Sequence, residues 1–229
     1  MKPVIAVFAH PDDEVFGPGG TMAILANERD VYIICVTNGD AGLNSIKDDD
    51  GSRTLAEIRR DELKASAASI NVKEVFFLDY HDGTLSNNLY HEIAEKVKKK
   101  IDALEPEILI TYEPRGVSGH IDHIAVSMIT SFIFEHTEYV QELWYYCMSE
   151  YARSFQKPYF IYFPPGYKDN EISKVVNIEP VWEQKVAAMS EHKSQKHDID
   201  NIIGAFRYRK KEEYFIILKR EDLPKTKTE

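Results

Sequence analysis

VIAVFAHPDDEVFGPGG, Val4 to Gly20, is the stretch whose reading decides the fold. Val4–Ala9 is apolar at every position, with no polar alternation. Such a run is a strand buried on both faces, the kind found where helices cover both sides of a parallel sheet. It runs into His10 and Pro11, then three acids, Asp12, Asp13 and Glu14, then Gly17, Gly19 and Gly20. The glycines permit a tight turn and close backbone approach before a helix that begins near Gly19. Three adjacent carboxylates repel one another at the end of a buried strand, so something at that point must offset them.

The same two periods recur along the chain. Val31–Thr37 (VYIICVT), Glu74–Leu78 (EVFFL) and Glu107–Thr111 read as buried strands. Gly19–Glu28, Thr54–Ile70, Leu89–Leu104 and His120–Phe134 read as helices, with Leu55, Ile58 and Leu63 on the apolar side of the second. Alternating strands and helices with right-handed crossovers predict an α/β fold: a Rossmann-like, doubly wound, mostly parallel sheet with helices on both faces. The last third is less regular. ELWYYCM, YFIYF and EYFIIL suggest strands, and Glu179–Lys193 suggests a helix. No internal repeat or linker rich in Gly, Ser or Pro divides the chain. The expectation is one domain over 1–229, with a core over 1–140 and a C-terminal extension over 141–229.

The chain has 229 residues, 43% hydrophobic and 29% charged, with a net charge of -10. That balance argues against general nucleic-acid binding, which needs a basic face. Cys35 and Cys147 lie in apolar runs and read as buried thiols, which favours a reducing, cytoplasmic setting. The N-terminal apolar run meets Asp12 too early for a signal peptide, and no run approaches the roughly 20 residues of a membrane span. The tail EDLPKTKTE reads as frayed. Homo-oligomerisation is left open.

Ligands of such sheets bind beyond the carboxyl ends of the strands. There the sequence places HPDDE, TNGDAG (Thr37–Gly42) with the polar loop to Arg53, DYHDG (Asp79–Gly83), and YEPRGVSGHIDH (Tyr112–His123). His10 and Asp13, three apart on a tight loop, can turn toward one point. One imidazole of the His120/His123 pair would complete a two-histidine, one-carboxylate set with a position left for water, as in catalytic zinc sites. The cation would also offset the crowded acids. Taken alone, the acids also fit a solvated cap for the next helix, and histidines three apart also fit a helix surface. A dinucleotide site is disfavoured, because GPGG lacks the G-x-G-x-x-G spacing.

AHPDDE followed by GGT, then TNGDAG, EIRRDEL, DYHDGTL, TYEPRGVSGHIDH and KVAAMSEHKSQ occur in one order. From about Val4 to about Gln195 the chain resembles the LmbE-like/PIG-L family of zinc-dependent N-deacetylases, which act mainly on N-acetylglucosamine conjugates. The resemblance implies His10, Asp13 and His123 as metal ligands, with Zn2+ or another divalent ion such as Fe2+ as cofactor. It implies Asp12 as general base, and His120 as a protonated oxyanion donor oriented by Asp122. A first-turn helix acid is the plainer role for Asp122. Arg59 and Asp82 are expected to bind substrate; their alternatives are a surface ion pair with Asp61 or Glu62, and a turn-forming Asp-Gly. His192 fits a family segment and equally a structural helix end. Two positions depart from the pattern: Ile121 replaces a usual proline, and Ser118 stands where some relatives carry a catalytic tyrosine. The expected function is removal of an N-acetyl group from an N-acetylglucosamine-type sugar or glycoconjugate. The alternatives are a metal-dependent amidase or esterase with another acyl substrate, and a non-catalytic Rossmann-like ligand-binding protein.

Overall fold

The computed structural model describes residues 1–46, 51–158 and 160–224. Part of the polar loop before Arg53, Tyr159 and the end of the tail lie outside these residues. The apolar runs become β1 (Val4–Phe8), β2 (Val31–Thr37), β3 (Glu74–Tyr80), β4 (Ile108–Tyr112) and β5 (Glu142–Cys147), all parallel. β6 (Lys174–Asn177) and β7 (Glu212–Lys219) extend the sheet antiparallel, giving the order β3-β2-β1-β4-β5-β7-β6. Val4 of β1 pairs with Val31 on one side and Ile108 on the other. The strand order therefore reverses between β1 and β4, and a ligand crevice opens at the carboxyl ends there.

Eight helices connect the strands among the described residues: α1 (Asp13–Phe16), α2 (Gly19–Ala26), α3 (Leu55–Ser69), α4 (Tyr90–Leu104), α5 (Ile121–Glu135), α6 (Glu150–Arg153), α7 (Trp182–Glu191) and α8 (Lys196–Phe206). Side chains of β1 alternate between two cores, as the period of two requires. Val4, Ala6 and Phe8 share one with Met22, Ala188, Met189 and Phe206. Ile5, Val7 and Ala9 share the other with Ile93, Val97, Ile129 and Ile133. α3 starts at a capping box: Glu57 N donates to Thr54 Oγ1 and Thr54 N to Glu57 Oε2. No helix of the described residues is long and apolar enough to cross a membrane.

The C-terminal third binds back onto the first loop. Buried Glu213 of β7 accepts hydrogen bonds from Gly20 N (2.9 Å), Thr21 N (2.7 Å) and Lys185 Nζ (2.6 Å). A carboxylate thus meets the amino end of α2, where exposed N–H groups favour it. A Cβ on Gly20 would lie 2.6 Å from Ile178 Cγ2, so this approach needs glycine.

One expected strand is absent. Residues 160–163 of the YFIYF run form no strand; they lie between Pro158 and the Pro164–Pro165 pair, which cannot donate to a ladder, and Ile161 is fully exposed. The helix expected over Glu179–Lys193 is present as α7, entered through a 3-10 turn (Glu179–Val181) and ending at His192. α8 and β6 went unread, although Ile199, Ile202, Ile203 and Phe206 carry the i, i+3, i+4, i+7 spacing of a helix.

Candidate active site

The loop after β1 separates its three acids by giving each a different partner. Asp12 has φ +108°, a left-handed conformation costly for a residue with a Cβ. It is held there from two sides. Asp12 N donates to Glu14 Oε2 at 2.9 Å, and Arg59 Nη2 donates to Asp12 Oδ2 at 2.6 Å. Glu14 Oε1 in turn meets Ser66 Oγ and His192 Nε2, both at 2.8 Å and all buried. Asp13 accepts from His10 N through Oδ2 (2.9 Å) and faces His123 Nε2 through Oδ1 (3.1 Å).

The histidines are oriented by their outer nitrogens. His123 Nδ1 donates to Gly116 O at 3.0 Å, so its Nε2 carries the lone pair of the neutral ring. His10 Nε2 lies 2.9 Å from Asp82 Oδ1 and 3.4 Å from Asp122 Oδ2, which places its proton there and the lone pair on Nδ1. These two inner nitrogens are 3.0 Å apart, with Asp13 beside both. Two lone pairs and a carboxylate facing one point are a donor set that fits a divalent cation. His10, His120 and His123 present donor atoms within 4.8 Å of one another, as do His10, Asp82, His120 and Asp122.

His120 is the residue that caps α5, its Nδ1 accepting from Asp122 N at 3.1 Å. Its proton therefore sits on Nε2, toward Asp82 Oδ1 at 3.7 Å. Burial, reinforced by His10 and His123 and opposed by Asp122, pushes its pKa down to about 4. The cap at Nδ1 and this lowering both favour a neutral ring that donates from Nε2 over the imidazolium expected from Asp122. The Asp122 carboxylate accepts from Gly83 N (2.7 Å) and Leu85 N (3.2 Å), tying the loop after β3 to α5, and its side chain faces His10. Burial pushes Asp12 up to about 7 even with Arg59 opposing, and Asp13 adds to the rise. Burial also raises Asp13, but His123 and His10 outweigh it and hold that carboxyl well below its usual value. Burial would lower His10, yet Asp122, Asp13 and Asp82 keep it raised, so Nδ1 presents its lone pair only when an arriving cation displaces the proton held there.

His10, Asp12, Asp13, Arg59, Asp82, His120 and His123 line one cavity of about 760 Å³, with Asp122 buried beside it. Arg59 turns inward to Asp12, Pro11 O and Gly39 O, while Asp61 pairs with Arg53 and Lys64, and Glu62 accepts from Ser194. Asp82 donates its own N–H to Asp40 Oδ1 at 2.9 Å, so the turn is shaped by Asp40 and the Asp82 carboxylate is left for the cavity. Ser118 Oγ lies 3.4 Å from His123 Nδ1. Glu14 was expected as a supporting or helix-start acid, but its pairing with His192 and the Phe160 ring 5.1 Å from the His120 ring went unread. An acid and a histidine 178 residues apart leave no local signal.

The family model described as PIG-L: GlcNAc-PI de-N-acetylase matches residues 5–134. The chain belongs to this family. Among curated relatives of this PIG-L chain, the "Probable N-acetyl-alpha-D-glucosaminyl L-malate deacetylase 2" of Bacillus cereus is 36% identical over 125 residues, 53% of this chain and 56% of the relative. The PIG-L chain spans about half the length of the curated relatives it matches. The N,N'-diacetylchitobiose deacetylase of Pyrococcus horikoshii superposes with TM-score 0.67 at 21% identity, over 95% of this chain and 84% of the other. The 4-carboxy-2-hydroxymuconate hydratase GalB of Pseudomonas putida superposes with TM-score 0.73 at 17% identity, over 100% and 99%. At these identities the likeness is one of fold, and a fold hosts more than one reaction.

Proposed function

We propose that the chain is a metal-dependent N-deacetylase of an N-acetylglucosamine-type sugar or glycoconjugate, with His10 Nδ1, Asp13 and His123 Nε2 holding the ion. Zinc is the ion this donor set suits, with Fe2+ as the alternative. One observation carries the reading: Asp12 is separated from the donor set and fixed beside it by Arg59 and Glu14, as a free base must be. Relatives named as deacetylases of acetylated glucosamine compounds support it.

When bound, a divalent ion supplies a Lewis acid that makes water nucleophilic near neutral pH and polarises the acyl carbonyl. Asp12 takes the proton of the attacking water and returns it to the leaving amine. Its Oδ2 is occupied by Arg59, so Oδ1 does this work. His120 donates from neutral Nε2 to the acyl oxygen as charge develops; one such donor is worth about 2.7–4 kcal/mol. Asp122, through Gly83 and Leu85, keeps the third loop against α5, and Asp82 offers its free oxygen to a sugar hydroxyl. Arg59 serves the substrate by fixing the floor on which it lies. The extension 141–229 belongs to the same domain in this reading, since β7 and β6 complete the sheet.

The test is free-amine release from N-acetylglucosamine, its oligomers and its glycosides, together with elemental analysis. About one metal per chain, lost in His123→Ala together with turnover, is the expected result. A protein that binds no metal and deacetylates none of these would return the chain to the ligand-binding reading.

A further inference from the structure

The cavity lining divides into two chemically unlike flanks. On the Arg59 side lie Gly42, Gln195 and Asp198; Gln195 Nε2 donates to Leu43 O, and the Asp198 carboxyl feels the Arg59 charge. This flank offers a carboxylate and an amide, groups that suit sugar hydroxyls, above an Arg59 guanidinium engaged by Asp12, Pro11 O and Gly39 O.

The other flank is formed by Met148 and by residues within 153–158 and 160–163. Phe160 stands edge-on to His120, and Phe155 and Phe163 continue the wall. Gly119 sets this wall in place: it has φ +85°, and a Cβ there would collide with the Tyr162 carbonyl. The segment therefore rests directly on the residue before His120.

Two cations, Arg153 and Lys157, line the same flank. Among the described residues, no carboxylate lies within ion-pair distance of either, in a chain with 38 acids against 28 bases. Arg153 donates only to neutral acceptors, Val117 O (2.5 Å) and Gln156 Oε1 (2.9 Å), and its guanidinium lies 4.1 Å over the Phe163 ring. Its Nε–H is buried without an acceptor. Glu113 acts on Arg153 only from beyond ion-pair distance, and Arg115 and Arg209 oppose it, so this half-buried guanidinium on an aromatic surface lacks a contact counter-charge. An arriving anion would supply it, and the phenylalanines would bury whatever apolar surface carries that anion. A polyol or second sugar would instead lose hydrogen bonds to water that three phenylalanines cannot replace.

We propose that this flank is the aglycone subsite, selecting an aromatic or aliphatic aglycone that bears an acidic group, with Arg153 facing the acid and Phe163 the apolar part. The placement of the sugar end rests on the deacetylase reading.

The test compares 4-carboxyphenyl, phenyl and methyl glycosides of N-acetylglucosamine, in both anomers, with N,N'-diacetylchitobiose on the metal-loaded protein. The expected order of kcat/KM for the preferred anomer is carboxyphenyl, phenyl, then methyl and chitobiose, with about tenfold from the carboxylate. Arg153→Met should bring the carboxyphenyl-to-phenyl ratio near one, Arg153→Lys should restore part of it, and Phe163→Ala should collapse the phenyl-to-methyl ratio. Calorimetric Kd values for the 4-carboxyphenyl and methyl glycosides report the subsite without turnover. Carboxylate-selective binding that depends on Arg153, without deacetylation, upholds the subsite and removes the deacetylase reading. Deacetylation with equal ratios, or a preference for chitobiose, overturns the subsite and leaves the deacetylase reading standing.

Discussion

The loop from His10 to Glu14 and the residues of 155–158 and 160–163 contribute to the same cavity, yet they are secured by different means. The acid loop is held from beneath: Glu14 by His192 and Ser66, Asp12 by Arg59, and the following turn by Glu213 and Lys185. Most of these partners are buried, and they come from α3, α7, β7 and the residue just after α7. The aromatic segment has no strand partner, and its close seat is the glycine before His120. One wall is over-determined, as strained catalytic geometry requires, and the other is seated through fewer contacts among the described residues.

The largest effects should come from breaking the acid loop at its reacting groups. Asp12→Asn should retain the metal and lower kcat by about 10²–10⁴, the usual worth of a general base. Metal content and kcat measured on Asp12→Asn and Asp13→Asn together decide the division of roles. Metal lost from the first and kept by the second would reverse the assignment.

Next come the props. Lys185→Met leaves Glu213 without its cation and should cost about 3–5 kcal/mol in chemical unfolding. His192→Ala should cost less, because Ser66 and Asp12 N still serve Glu14, but it should lower kcat more than it raises KM. Its pH dependence has a definite sign. Burial lowers the His192 pKa, but Glu14 outweighs burial and holds it above the ordinary 6.5. The pair's contribution is therefore complete below pH 6.5 and fades as pH rises through the raised value. Wild type and His192→Ala should differ most in stability on the acid side. A gap that widens with rising pH would contradict the pairing.

Breaking the aromatic wall should do less. Gly119→Ala forces a Cβ into the left-handed region against Tyr162 and should cost about 1–3 kcal/mol. It should also alter kcat/KM for glycosides with bulky aglycones more than metal content. Equal losses across all glycosides would mean that the wall does not sort substrates. The smallest effect concerns Cys35 and Cys147, which are free and buried in strands, their pKa values pushed up by burial. Neither should react with a thiol reagent in the native protein, and both should react on unfolding.

Much of the scaffold was legible because strands buried on both faces write themselves as unbroken apolar runs. Val4–Phe8, Val31–Thr37 and Ile108–Tyr112 could hardly be read otherwise, and parallel order followed from the helices between them. YFIYF misled because the same residue types that make a buried strand also make a ligand-facing wall. The prolines on both sides were the signal that separated the two. Among the site residues, all that stand at strand ends came together, because the sheet brings those ends to one edge. Glu14 was read as an acid without its partner, since His192 arrives from the far end of the chain.

The protonation of His120 shows the same limit at the level of one ring. Its neighbour Asp122 suggested an imidazolium, whereas the cap of α5 and burial among other histidines favour the neutral ring.

By itself, then, the sequence determined the parallel sheet, the edge on which chemistry gathers, and the residue types assembled there. Those follow from local periodicity and from the rule that strand ends converge. Only the tertiary structure decided which carboxylate faces which nitrogen, which imidazole keeps its proton, and that an aromatic segment closes one side. These depend on burial and on contacts between residues far apart in the chain, and neither is written in any short stretch of it.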